Sequence, residues 1–132
     1  MVSRPRDEIA DLRLAAHEEV AKVIIGHEKA VDLTLTAALA GGHVLLEGPP
    51  GTAKTLLAAA MARVLGVPFK RVQFTPDTTP TEIVGKTVSV GGYRRFEPGI
   101  VFTNVLLADE INRTPPRTQA ALLEAMQERQ VT

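Results

Sequence analysis

Gly48-Pro49-Pro50-Gly51-Thr52-Ala53-Lys54-Thr55 follows the apolar run Val44-Leu45-Leu46 and precedes Leu56, Leu57, Ala60, Met61, Val64 and Leu65, apolar positions at helical spacing closed by Gly66. A short run of aliphatic residues between glycines predicts a strand buried on both faces. A glycine-rich turn between a strand and a helix is the setting a phosphate-binding loop requires. Its glycines let backbone N–H groups turn inward toward phosphate oxygens, and the helix that follows offers unpaired N–H groups and the positive end of its dipole. Lys54 adds a point charge for β and γ phosphates, and the Thr55 hydroxyl stands where a bridging Mg²⁺ would lie. Ala53 occupies the last glycine position of the strict G-x-x-x-x-G-K-[ST] pattern. Alanine is acceptable there if the residue has helical φ and ψ, because only a positive φ demands glycine. Taken alone, the stretch also reads as a Gly/Pro turn with a helix-capping threonine.

A second signal lies downstream. Val105-Leu106-Leu107-Ala108-Asp109-Glu110 is a hydrophobic strand that ends in two carboxylates. In an open parallel sheet, ligands sit beyond the carboxyl ends of the strands, so the loop and the acidic pair are expected at one crevice. Asp109 would hold Mg²⁺ through its water shell, and Glu110 would orient and polarise an attacking water. On its own, such a pair is equally a solvated acidic turn.

Around these motifs the chain reads as alternating helices and strands. Apolar residues at helical spacing from Asp7 to Ile25 predict a first helix, capped by Asp7 and ended by Gly26. A second runs from His27 to Ala40 and stops at Gly41-Gly42. Phe69 to Phe74 predicts a strand, with Lys70, Arg71 and Gln73 marking it as a sheet edge. Thr79-Pro80-Thr81-Glu82 predicts a short helix start, and Thr87–Val90 with Tyr93–Phe96 around Gly91-Gly92 predicts a hairpin. Val101 to Ala108 is the next strand, and Thr114-Pro115-Pro116 opens a last helix through Leu122, Leu123 and Met126. The order of elements describes an α/β sandwich.

Composition bounds the chemistry. The 132 residues have room for one core and not for two full domains. Fifteen basic residues balance fifteen acidic ones, so no global field draws nucleic acid or an anionic membrane. With no cysteine there is no disulfide framework, thiolate nucleophile or cysteine-ligated zinc. His17, His27 and His43 match no usual zinc spacing and read as surface or turn residues. No apolar stretch approaches the length of a membrane span, and the charged start Arg4-Pro5-Arg6-Asp7-Glu8 has no secretory core, which predicts a cytoplasmic protein. Aromatics make up only 4%, so the core must rest on aliphatic residues.

The stretch from Ile111-Asn112-Arg113-Thr114-Pro115-Pro116 to Thr132, together with GHVLLEGPPGTAKT at Gly42 to Thr55, closely resembles the MoxR branch of the AAA+ ATPases, whose phosphate loop has the same Ala-Lys form. The resemblance spans about Val23 to Thr132. It implies a P-loop NTPase three-layer α/β sandwich with a parallel sheet in the order 5-1-4-3-2, truncated here before its fourth strand. Residues 1–132 would then be the N-terminal portion of an AAA+ domain. Its parts would be leading helices over 1–42, the first strand, Walker A loop and helix over 43–66, the second strand and hairpin insertion over 67–100, and the Walker B strand with its helix over 101–132.

The implied function is Mg²⁺-dependent ATP hydrolysis that drives chaperone-like remodelling or maturation of partner complexes. The resemblance makes Lys54 and Glu110 catalytic, Gly48 through Thr55 (Gly48, Pro49, Pro50, Gly51, Thr52, Ala53, Lys54, Thr55) ATP-binding, and Thr55 and Asp109 the Mg²⁺ side chains. Ile25 and Gly26 would line the adenine pocket, where His27 replaces a frequent glutamine. The hairpin at Thr81 to Phe96 would contact a partner or a central pore, and Arg113 would either approach a protomer interface or remain a solvated helix-start arginine. A hexameric ring and a client paired with a von Willebrand factor A domain protein are implied as partners, with no direct nucleic-acid contact. An alternative is a non-catalytic nucleotide-binding fragment, because the sensor, the arginine finger and the helical lid are not among these residues. A GTPase-like switch is disfavoured, since Asp109-Glu110 replaces a lone carboxylate followed by glycine and no base-reading NKxD string occurs.

Overall fold

The computed structural model describes residues 4–22, 28–48 and 53–131. Two compact units divide at Val67 and Pro68.

In the first unit, helix α1 spans Pro5–Ala21, α2 Glu28–Leu39 and α3 Lys54–Leu65. Helix α1 starts two residues before the expected Asp7 cap, because Pro5 takes the first helical turn, where its locked φ fits and its missing N–H costs no bond. Asp7 and Glu8 instead sit in the first turn, where they meet the positive end of the helix dipole. The helix ends at Ala21, so the expected continuation to Ile25 and stop at Gly26 lie outside the described residues. Ala16 and Val20 of α1, Val31 and Leu35 of α2, and Leu57, Ala60 and Met61 of α3 form one buried cluster, an aliphatic core of the kind the composition demands.

Ion pairs tie the three helices at the rim of this core. Asp32 accepts from Arg13 Nε at 2.7 Å and lies 2.8 Å from His17 Nε2. The Arg13 guanidinium, with His17 adding to it, pulls the Asp32 carboxyl down to about 2. Glu19 accepts from Lys22 at 2.8 Å and from Arg63 of α3 at 2.6 Å. The cations Arg13, Lys22 and Arg63 are largely solvated, so the pairs orient the helices more than they stabilise them.

The predicted strand Val44-Leu45-Leu46 does not form. Residues 42–48 carry no regular structure, and Val44 and Leu45 are 43% and 78% exposed. The described residues contain only two sheets, and neither includes this run. In the order 5-1-4-3-2 that the resemblance implies, the neighbours of this first strand are the fifth and the fourth, and among the described residues no strand pairs with it. A strand cannot hold its backbone bonds without neighbours, whatever its hydropathy.

In the second unit, β1 (Phe69–Gln73) pairs in parallel with β4 (Val105–Asp109), with Phe69 opposite Val105 and Gln73 opposite Asp109. Side chains alternate across this pair. Val72, Leu106 and Ala108 pack on the buried cluster of Phe74, Ile83 and Leu122, so Arg71, Gln73, Leu107 and Asp109 take the opposite face. Between the two strands come α4 (Pro80–Val84) and a hairpin of β2 (Gly85–Val90) and β3 (Tyr93–Pro98). The expected helix start at Thr79 is a full capping box: Glu82 accepts from the Thr79 N–H at 2.6 Å, and that backbone bond lowers the Glu82 pKa. Gly91 and Gly92 both have positive φ, 58° and 84°, as a two-residue hairpin turn requires.

The expected strand from Val101 shortens to Val105–Asp109. The N–H groups of Ile100 and Val101 donate to the Glu82 and Ile83 carbonyls of α4, and so leave the ladder. Helix α5 (Pro116–Glu128) follows, with Pro116 in its first turn as the sequence predicts. Its Thr118 is fully buried, and the hydroxyl donates to the Thr78 carbonyl at 2.8 Å, fixing α5 to the loop before α4. Thr118→Val keeps the shape and removes this bond, leaving a carbonyl short of a partner. It is expected to lower the unfolding free energy by about 1–2 kcal/mol in a urea titration. An unchanged midpoint would show that the bond contributes nothing.

Candidate phosphate loop and acidic strand end

The two motifs lie in different units, and each has its own local geometry. In the first unit, Lys54 opens α3, and its Nζ donates to the Gly48 carbonyl at 3.2 Å. Pro49, Pro50, Gly51 and Thr52 lie outside the described residues, as do Ile25 and Gly26 of the expected adenine pocket. Ala53 has φ −72° and ψ 25°, so no left-handed conformation is needed at the position where the strict pattern has glycine. Ala53, the residue before α3, has no side-chain group to cap it, and among the described residues no side-chain cap is formed there. Its first N–H groups therefore remain suited to an anion, with the half-buried Lys54 and Thr55 beside them.

In the second unit, Asp109 ends β4 and Glu110 follows in the left-handed region at φ 58°, ψ 37°. That conformation turns the chain from the strand into a 3₁₀ turn, Ile111–Arg113, with the Arg113 N–H bonded to the Glu110 carbonyl at 3.0 Å. Glu110 is exposed, and Arg113 Nε stands 3.8 Å from its carboxylate. Arg113 thus meets the glutamate within its own turn. Asp109 is half-buried and accepts from Arg71 Nη2 of β1 at 2.9 Å. Arg71 had been legible only as a polar residue of an edge strand. The register that brings it to Asp109 joins residues far apart in sequence, and only its alternation with the apolar Val72 hinted at a solvent-side face.

A left-handed glutamate is strained relative to glycine by about 1 kcal/mol. Such strain at a polar strand end points to a selected side chain. Glu110→Gly is expected to raise the unfolding free energy by about 0.5–1 kcal/mol while deleting the carboxylate. A urea midpoint at or below the wild-type value would remove the claim of strain.

The Thr55 hydroxyl in the first unit and the Asp109 carboxylate in the second are each of the oxygen-donor type that a hard cation such as Mg²⁺ takes. Among the described residues no three acidic or histidine side chains gather into an all-protein metal cage. Mg²⁺ held together with phosphates needs only one or two such groups. His17 is half-buried beside Asp32 and not a surface residue as expected, and His27 lies outside the described residues.

Comparison with known proteins places the chain in a family. Residues 43–132 match the family described as "ATPase family associated with various cellular activities (AAA)". Chaperone MoxR1 of Mycobacterium tuberculosis is 52% identical over 116 residues, covering 86% of this chain and 31% of that protein. Protein MoxR of Methylorubrum extorquens is 40% identical over 139 residues, covering 98% of this chain and 40% of the other. A crystal structure from Cytophaga hutchinsonii, of a candidate ATPase, superposes with a TM-score of 0.78 at 40% identity, over 96% of this chain and 40% of that one. The chain thus spans between about a third and two fifths of the length of these relatives. No described helix is long and apolar enough to cross a membrane. The α/β fold with its parallel strand pair is that of a P-loop NTPase cut short, and the chain belongs to the AAA ATPases, in the MoxR family.

Proposed function

We propose that the chain is the N-terminal portion of an AAA+ domain that binds ATP with Mg²⁺, and that the longer protein hydrolyses ATP to remodel or mature partner protein complexes. The observation that carries the reading is Lys54 at the first position of α3 with its ammonium 3.2 Å from the Gly48 carbonyl. In this reading the backbone of Gly48 to Ala53 and the start of α3 cradle the phosphates, with Ile25 and Gly26 beside the adenine. Lys54 neutralises charge on the transferred phosphoryl group. The Thr55 hydroxyl, and Asp109 through water, would hold Mg²⁺. The ion when bound supplies charge neutralisation on the β and γ oxygens. Glu110 orients the attacking water and takes up its proton. A hexameric ring, a client accompanied by a von Willebrand factor A domain protein, a cytoplasmic location and a contact role for the hairpin over residues 81–96 belong to the same proposal.

Titration of the chain with a fluorescent ATP analogue, followed by displacement with ATP and with GTP, tests the reading. Saturable binding displaced by ATP at far lower concentration than GTP supports it. Absence of saturable binding removes it, and equal displacement returns the GTPase-like alternative.

A second reading, a nucleotide-binding fragment without turnover, is favoured by Val44-Leu45-Leu46, the run before the loop, having no sheet partner among the described residues. Steady-state phosphate release from this chain, abolished by Glu110→Gln, would overturn that second reading.

A further inference from the structure

Arg71 occupies the middle of β1, in register with Leu107, on the face shared with Gln73 and Asp109. Its reach along that face ends on Asp109 Oδ2 at 2.9 Å. The neighbouring cation on the strand, Lys70, has the opposite face and bonds the Phe102 carbonyl at 3.4 Å. One strand thus carries two adjacent positive charges, of which one is committed to a carboxylate and the other to a backbone oxygen.

We propose that Arg71 is a positioning residue that holds the Asp109 carboxylate and competes with the divalent cation for it, thereby setting the Mg²⁺ concentration at which the nucleotide site fills. The inference rests on the reading of Asp109 as the carboxylate that meets Mg²⁺ through water. A guanidinium on one carboxylate oxygen fixes the direction of the group and cancels part of the negative potential an arriving dication would feel. The Arg71 side chain is 49% exposed and that of Asp109 27%, so the pair is wet enough to open or share when the cation arrives. A cross-strand pair that only braced the sheet would contribute little stability and would leave the Mg²⁺ dependence unchanged.

The test is the Mg²⁺ titration of fluorescent-ATP binding by the whole chain at fixed nucleotide, with far-UV circular dichroism confirming the fold of each variant. Arg71→Gln keeps a hydrogen-bond donor and removes the charge. It is expected to lower the Mg²⁺ midpoint by about threefold to tenfold. Arg71→Lys should remain within about twofold of wild type, because the charge is kept. Lys70→Gln removes a charge from the same strand on the other face and should leave the midpoint unchanged. In an Asp109→Asn background, Arg71→Gln should have no effect. A midpoint for Arg71→Gln that is unchanged or raised, with nucleotide binding intact, overturns this inference alone. Failure of the wild-type chain to bind the nucleotide overturns the ATP reading and this inference with it.

Discussion

Lys54→Ala is expected to reduce affinity for a fluorescent ATP analogue by about a hundredfold, which is about 3 kcal/mol of charge-assisted contact with the phosphates. The structure makes the experiment clean. Lys54 is the first residue of α3, where alanine is the better helix former, and its only side-chain bond in the described structure is a 3.2 Å contact to the exposed Gly48 carbonyl. The buried cluster beneath α3 is built from Leu57, Ala60 and Met61 and does not involve the lysine. Stability should therefore change by less than about 0.5 kcal/mol, so a fall in affinity reports the lost charge and not unfolding. Equal affinity for wild type and variant would refute the reading of Gly48–Thr55 as a phosphate loop. On the proposed reading, Glu110→Gln in the longer protein should instead retain binding and lose turnover, because it would remove the base that orients water and leave the phosphate contacts in place.

How far the sequence reaches differs from element to element, according to how local the deciding interaction is. The capping box at Thr79 and Glu82 involves residues three apart, and the hairpin turn at Gly91-Gly92 needs only positive φ at two neighbours. Both are legible in the string. The start of α3, with Lys54 and Thr55 inside its first turn, is similarly local. Val44-Leu45-Leu46 shows the opposite case. Its hydropathy is that of a buried strand, yet a strand exists only through its neighbours, and pairing is decided by segments far away in sequence. The Arg71–Asp109 pair depends on the register of β1 against β4 and is invisible for the same reason. So is the shortening of β4, since the N–H groups of Ile100 and Val101 are taken by α4 carbonyls that hydropathy does not reveal.

Gly99→Ala should be the most damaging single methyl group in the second unit, destabilising it by about 3 kcal/mol or more. A Cβ built at Gly99 would overlap the Ile83 carbonyl at the end of α4 and stand 2.5 Å from the Gly85 nitrogen. Both are backbone atoms, so no rotamer change relieves the clash. Gly85 faces it with φ 95° and ψ 179°, a conformation open in practice only to glycine, and a Cβ there would lie 2.5 Å from the Glu97 carbonyl and 2.8 Å from the Gly99 nitrogen. Two glycines thus allow the base of the hairpin to close against the end of α4, where Ile83 is fully buried with Phe74 and Leu122. Forcing them apart would pull Ile83 from that cluster and disturb the bonds from Ile100 and Val101 that anchor the chain before β4. Gly91→Ala provides the control: nothing lies within 4 Å of its added Cβ, so only its φ of 58° is penalised, at about 1 kcal/mol. Urea unfolding of Gly99→Ala, Gly85→Ala and Gly91→Ala should rank Gly91→Ala mildest by a clear margin. A Gly99→Ala midpoint equal to that of Gly91→Ala would show that the close approach of β3 to α4 does not constrain the fold.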